Sequence, residues 1–221
     1  MPSRKQALLV FAKPPIPGTV KTRLTRLVTP EEAAELYRCF LLDALSAYAK
    51  LGVDVLLFVG PGDRNLMPDL PVTDLLEQRG ESLGERLEHA FADAFGRGYE
   101  QAVVIGTDHP TLPLAHIEEA FRFISEGGVA IGPSEDGGYY LLGLSEPAPE
   151  LFRNMQYSHA EVYCDTVRRL GMQHLAVLPS WYDVDEPDDL RRLSEDATLL
   201  PAEGATRAYV KALAERYDLV V

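Results

Sequence analysis

Five short apolar runs, at residues 7–12, 53–59, 102–105, 129–132 and 139–144, alternate along the chain with longer stretches whose apolar residues recur at helical spacing. A weaker run lies at 175–178. The runs are nearly continuous rather than alternating, which is the pattern of strands covered on both faces. Strands and helices in series give an α/β fold, a three-layer α/β/α arrangement around a mainly parallel, Rossmann-like sheet. Gly137-Gly138 reads as the turn of a hairpin joining 129–132 to 139–144. No Gly-, Ser- or Pro-rich stretch divides the chain and no internal repeat is evident, so residues 1–221 are expected to form one domain.

The helical stretches carry their own start signals. Residues 31–50 place Leu36, Tyr37, Phe40, Leu41 and Leu45 on one stripe. Thr29-Pro30-Glu31-Glu32 supplies a capping box with proline at the first helical position. Ser82-Leu83-Gly84-Glu85 opens a second helix, and Ser158-His159-Ala160-Glu161 a third, in the same way. Further helices are expected over 114–125, from near Pro187, and after Ala205.

Charge narrows the range of partners. The chain has 21 basic and 34 acidic side chains, a formal net charge of −13, which disfavours duplex nucleic acid and anionic membrane surfaces. Cys39 and Cys164 allow at most one bridge and show no C-x-x-C spacing, as in a reduced cytosolic chain. The run at 7–12 is too short for the apolar region of a signal peptide, and no stretch reaches the length of a membrane span. The chain is therefore expected to be cytoplasmic, with a small-molecule partner. A homo-oligomer is left open.

Against that acidic background, Arg4, Lys5, Lys13, Lys21, Arg23 and Arg26 all precede the first acidic residue, Glu31. Residues 11–24 (FAKPPIPGTVKTRL) leave the first strand at its carboxyl end, the edge where open α/β sheets bind ligands. Pro14, Pro15, Pro17 and Gly18 shape this loop, and the prolines lower the entropy cost of ordering it. Lys13, Lys21 and Arg23 then converge on a polyanion such as a triphosphate. The plain alternative is a solvated basic loop. A P-loop is rejected, because Val20 stands where the motif needs a glycine directly before its lysine.

The acids that answer this loop lie far apart in sequence. Asp108, in Gly106-Thr107-Asp108-His109-Pro110, follows the run at 102–105 and suits a hard cation such as Mg²⁺. In Tyr182-Asp183-Val184-Asp185-Glu186-Pro187, Asp183 and Asp185 point the same way from an extended segment. The competing account makes Asp185 the N-cap of the following helix. Glu135-Asp136-Gly137-Gly138 is either plain turn chemistry or a loop that lets an acceptor approach the backbone. Residues 78–86, with Gly80 and a helix start, combine groups that read a base or bind phosphate. No nucleophile–histidine–acid set and no Cys/His zinc cluster is present in the sequence pattern.

FAKPPIPGTVKTRL, GTDHP, GPSEDGGYYLLG and DVDEPDDL occur in this order across nearly the whole chain. Together they resemble a bacterial family of glycosyltransferase-like proteins, associated with radical-SAM enzymes and arsenosugar or selenium pathways, in the nucleotide-diphospho-sugar transferase superfamily of glycosyltransferase-A fold. Lys13 followed by Lys21-Thr22-Arg23-Leu24 is similar, more distantly, to the triphosphate loop of the 2-phospholactate guanylyltransferases. The resemblance implies Lys13, Lys21 and Arg23 as phosphate ligands, and Asp108 and Asp185 as metal ligands. It also shows departures: Thr107-Asp108-His109 stands where glycosyltransferases of this fold carry D-x-D, and Tyr157-Ser158 replaces an expected tryptophan–serine.

The expectation that follows is a transferase using Mg²⁺ (or Mn²⁺) and an activated nucleotide. In its favoured form a nucleotidyl group passes from an NTP to a small phosphorylated acceptor, releasing pyrophosphate. Glycosyl transfer from a nucleotide-sugar is the alternative, and a non-catalytic nucleotide-binding module a third. Asp108, Asp185 and Lys21 are the candidate catalytic residues. Lys13, Lys21, Arg23, Gly18 and Gly80, with Asp136, Gly137 and Gly138, are the candidate nucleotide-binding set. Asp108 and Asp185, with Asp183 as the other candidate, are the expected metal ligands.

Overall fold

The computed structural model describes residues 5–62, 67, 74–157, 159–171 and 174–219. Arg4 of the basic segment and the expected cap Ser158 lie outside the described residues. One sheet contains β1 (Gln6–Ala12), β2 (Asp54–Val59), β3 (Asp74–Glu77), β4 (Gln101–Ile105), β5 (Val129–Pro133), β6 (Tyr139–Leu144) and β7 (Leu175–Val177). Their order is β3-β2-β1-β4-β6-β5-β7. β6 runs antiparallel to β4 and to β5. The other pairings are parallel. The fold is thus the expected mainly parallel α/β sheet, with the expected β5–β6 hairpin.

β1 explains why the first apolar run has no polar face. Leu8 and Val10 point into one core, with α1 (Pro30–Tyr48), α3 (Leu114–Ile124), α5 (Pro187–Glu195) and α6 (Ala205–Tyr217). Ala7 and Leu9 point into the other, with α2 (Leu83–Gly96) and α4 (Val162–Leu170). Phe40, Leu36, Leu41 and Leu45 of α1 are fully buried, each contributing about 1.5–3 kcal/mol by leaving water.

Local capping sets the helix starts at α1 and α2. The Thr29 side chain accepts from Glu32 N, and Glu32 Oε2 accepts from Thr29 N, at 3.2 and 2.9 Å. Ser82 and Glu85 repeat the arrangement at α2. The third helix differs from the expectation. α4 starts at Val162, because His159 Nδ1 accepts from Glu161 N (3.2 Å) and turns the chain one step before the helix. β3 is an addition to the expected strands: a short edge strand, half polar, with two residues exposed.

This topology prepares a binding edge. The chain runs from β1 through α1 to β2 on one side, and returns to place β4 on the other side of β1. In-register pairing of Ala12 with Val59 and of Val10 with Ile105 brings the carboxyl ends of β1, β2 and β4 to one edge. The gap between the ends of β1 and β4 is the switch point where such sheets bind ligands.

Candidate active site

The loop after β1 is anchored by burial of Val20 and Leu24 on either side of Lys21. Lys21 takes the left-handed conformation (φ 48°, ψ 38°) just before a 3₁₀ turn, Thr22–Arg26. That backbone, rare outside glycine, turns the lysine inward rather than toward solvent. Its side chain is 3% exposed. Nζ contacts Asp108 Oδ1 and, at 2.8 Å, Asp185 Oδ1. The rings of Tyr37 and Phe40 lie 5.8 and 5.9 Å away. Tyr37 OH accepts from Lys13 N (3.1 Å) and bonds Thr107 Oγ1 (3.0 Å), tying the loop to the end of β4.

Backbone bonds bring the acids together. Asp108 O accepts from Val184 N at 3.0 Å, stitching the 183–185 segment to the turn after β4. Val184 is fully buried, so Asp183 and Asp185 face the other way, into the crevice. Asp185 is not the helix cap. Glu186 holds that position, and Asp189 Oδ2 accepts from Asp185 N (3.0 Å) and Glu186 N (2.7 Å). With Asp189 satisfying these amides, the Asp185 carboxylate is free to meet Lys21.

The pairing shows in the ionisation of each group. Burial works against a charged Lys21, but Asp108 and Asp185 outweigh it and raise its pKa. Burial likewise favours the neutral acid at Asp108, and the Lys21 charge and hydrogen bond hold its pKa below the usual carboxylate range. Asp183 is pushed up to about 6 by burial and by the charges of Asp136 and Asp185. His109 is pushed down to about 4 by burial, so its imidazole is neutral at pH 7. Among the described residues, neither of its buried ring nitrogens has a hydrogen-bond partner.

These groups line a crevice of about 790 Å³. Lys13, Lys21 and Arg23 of the loop after β1 line it together with Asp108, Asp183 and Asp185. Asp136 and Gly138 line it from the β5–β6 hairpin, where Asp136 Oδ1 accepts from Gly138 N at 2.8 Å. Gly18, Gly80 and Gly137 do not line it. Gly18 (φ +76°) is an exposed turn. Gly80 (φ +124°) packs on the start of α2. Gly137 (φ +92°) sits beneath the Ala160 carbonyl, which leaves no room for a Cβ. Gly137→Ala should therefore destabilise the protein by about 1–3 kcal/mol, measured by denaturant unfolding.

The five described basic residues at the start of the sequence, Lys5, Lys13, Lys21, Arg23 and Arg26, do not act as one patch. Lys5 lies over the Tyr99 ring, at the start of β1. Arg23 and Arg26 reach Glu186, at 3.6 and 2.9 Å. Lys13 is exposed and has no ion-pair partner among the described residues. Tyr37, whose helical spacing marks it only as part of the α1 core stripe, and Thr107, which no motif singles out, together build the floor of the site. Of residues 78–86, Gln78 has a defined place there. Gln78 Nε2 donates to Ala12 O (3.1 Å) and Phe58 O (2.9 Å), which leaves Oε1 as an acceptor at the crevice wall.

Two oxygen donors converging on one cation suit Mg²⁺ or Mn²⁺ completed by substrate phosphates. Among the described residues, no group of three or more His, Cys, Asp or Glu side chains is arranged to hold a metal ion alone. Also among them, no helix is long and apolar enough to cross a membrane.

Comparison with known proteins places this geometry in context. The model of a family described as "Uncharacterized protein conserved in bacteria (DUF2064)" matches residues 43–159. A solved structure from Desulfovibrio desulfuricans G20, a candidate nucleotide-diphospho-sugar transferase, is 33% identical with a TM-score of 0.87, covering 97% of this chain and 99% of that one. A 2-phospho-L-lactate guanylyltransferase of Archaeoglobus profundus is 25% identical over 185 residues, 80% of this chain and 79% of the relative. A phosphoenolpyruvate guanylyltransferase of Sphaerobacter thermophilus is 26% identical over 185 residues, 81% and 89% of the two chains.

Proposed function

This chain belongs to the bacterial DUF2064 family and is a transferase, and from that premise we propose that it is a metal-dependent nucleotidyltransferase acting on a small acceptor. The observation that carries this reading is the convergence of Lys21, Asp108 and Asp185 at the β1/β4 switch point. Guanylyl transfer by the two curated relatives supports it.

In this reading Asp108 and Asp185 would hold Mg²⁺ or Mn²⁺, with Asp183, which lines the same crevice, as the alternative to Asp185. Both paired carboxylates fit the role, being hard donors with side chains 43% and 38% exposed toward the crevice. A divalent ion bound there neutralises phosphate charge and polarises the α-phosphoryl group. Lys13 and Arg23 bind the outer phosphates, with Lys21 beneath them. Gly18, Gly80 and Gly137 set the loop shapes, while Asp136 and Gly138 present the hairpin turn to the acceptor.

An acceptor oxygen forms a bond to the α-phosphorus in line with the bridging oxygen, whose bond breaks as pyrophosphate leaves. The protein positions the two substrates and neutralises charge, with no covalent enzyme intermediate. His109, neutral and buried, carries no charge into this step.

Glycosyl transfer is the second reading, favoured by the similarity to the Desulfovibrio candidate nucleotide-diphospho-sugar transferase. Thermal-shift measurements with NTPs and nucleotide-sugars, each with and without Mg²⁺, separate the two. Stabilisation by an NTP with Mg²⁺, followed by metal-dependent pyrophosphate release with an acceptor, is the expected result. Phosphoenolpyruvate and 2-phospho-L-lactate begin the acceptor panel. Stabilisation by nucleotide-sugars alone would shift the assignment to glycosyl transfer, and binding without turnover across the panel to a nucleotide-binding module.

A further inference from the structure

We infer that Lys21 is an internal cation that competes with the divalent metal for Asp108 and Asp185, so that the metal binds firmly only together with a polyphosphate. The inference rests on the reading that the crevice takes a metal–nucleotide pair, and adds an order to its assembly.

Lys21 comes from the loop after β1, Asp108 from the turn after β4, and Asp185 from the segment before α5. The ammonium touches one oxygen, Oδ1, of each aspartate. It approaches from the protein side, since its own side chain is 3% exposed while those of the two acids are 43% and 38% exposed. Val20 and Leu24 fix the loop on both sides, and the Tyr37 and Phe40 rings back the ammonium. Lys21 is therefore part of the site's construction, not a mobile surface charge.

The charge balance has a definite consequence. Two carboxylates and one ammonium leave these three groups at −1, so half of the charge that would attract a dication is already neutralised. A metal on the same carboxylates brings two positive charges within a few ångströms of an ammonium that water does not screen. A triphosphate reverses the sign by adding several negative charges on the open side. Metal and polyphosphate then bind with positive coupling, and by linkage each strengthens the other equally. An enzyme built this way avoids holding a metal tightly with no phosphate to act on.

The test is Mn²⁺ binding to the full chain, followed as Mn²⁺ retained by the protein in equilibrium dialysis with tripolyphosphate-only controls, for the wild type and Lys21→Met. Without nucleotide, Lys21→Met should bind Mn²⁺ roughly tenfold or more tightly than the wild type, because a buried repulsive charge is gone. Asp108→Asn in that background should abolish the gain. Inorganic tripolyphosphate should tighten Mn²⁺ binding more in the wild type than in Lys21→Met. Circular dichroism checks that the variant is folded. Should it not fold, the wild type decides alone, through the effect of tripolyphosphate on retained Mn²⁺.

Mn²⁺ binding that is no tighter in folded Lys21→Met, or that is indifferent to tripolyphosphate in the wild type, overturns the inference. Failure of the nucleotidyl-transfer reading looks different. There, tripolyphosphate and Mn²⁺ are coupled through Lys21, but no NTP supports pyrophosphate release.

Discussion

Replacing Asp108 and Asp185 together by asparagine should cost roughly 3 kcal/mol of stability, and adding Lys21→Met should restore most of it. In the double variant the Lys21 ammonium stays buried while both countercharges disappear, and that uncompensated charge is the dominant cost. The triple variant removes the charge itself and leaves an apolar chain against Tyr37 and Phe40, which already pack around it. For a chain of this size the loss corresponds to about 6–12 °C in Tm. Denaturant unfolding of the wild type and both variants checks it. A triple variant no more stable than the double would show that Lys21 is not held mainly by these two acids.

The second large effect concerns turnover. If Asp108 holds the metal as proposed, Asp108→Asn should lower the transferase rate by roughly 10²-fold or more, since a metal ion held less well loses part of the several kcal/mol of charge stabilisation it would supply. The fold should survive, because the backbone carbonyl of Asp108, not its side chain, holds Val184. Asp185 also still neutralises Lys21 in the single variant. Metal-dependent pyrophosphate release, measured beside circular dichroism, separates loss of chemistry from loss of fold. Wild-type rates would remove Asp108 from the metal site.

Much of the architecture is legible locally. The near-continuous apolar runs give β1, β2, β4, β5 and β6, since a strand covered on both faces has no polar side to display. Thr29 with Glu32, and Ser82 with Glu85, announce α1 and α2 because a capping box is closed within four residues. β3 carries no such signal: Asp74–Glu77 lies at the sheet edge, where its polar residues face water and burial imposes no pattern. The start of α4 is misplaced by sequence because the turn at His159 is made by side-chain contacts that spacing does not encode.

The site is legible in its parts but not in its wiring. Asp185, Glu186 and Asp189 are all chemically able to cap α5, and only the fold shows that Glu186 and Asp189 do so. A basic loop leaving the first strand suggests phosphate-facing cations. The left-handed backbone at Lys21 and the burial of its flanks instead aim one of them at acids 87 and 164 residues away. Tyr37 shows the same limit: its place on an apolar helical stripe is correct, and says nothing of a hydroxyl that joins the β1 loop to Thr107.

A crystal structure with Mn²⁺ and a non-hydrolysable GTP analogue would show whether the crevice takes a metal–nucleotide pair. The expected result is an anomalous Mn²⁺ peak within reach of Asp108, Asp185 and the analogue's phosphates. Phosphates seated away from the β1 loop, or a peak that touches neither aspartate, would contradict it.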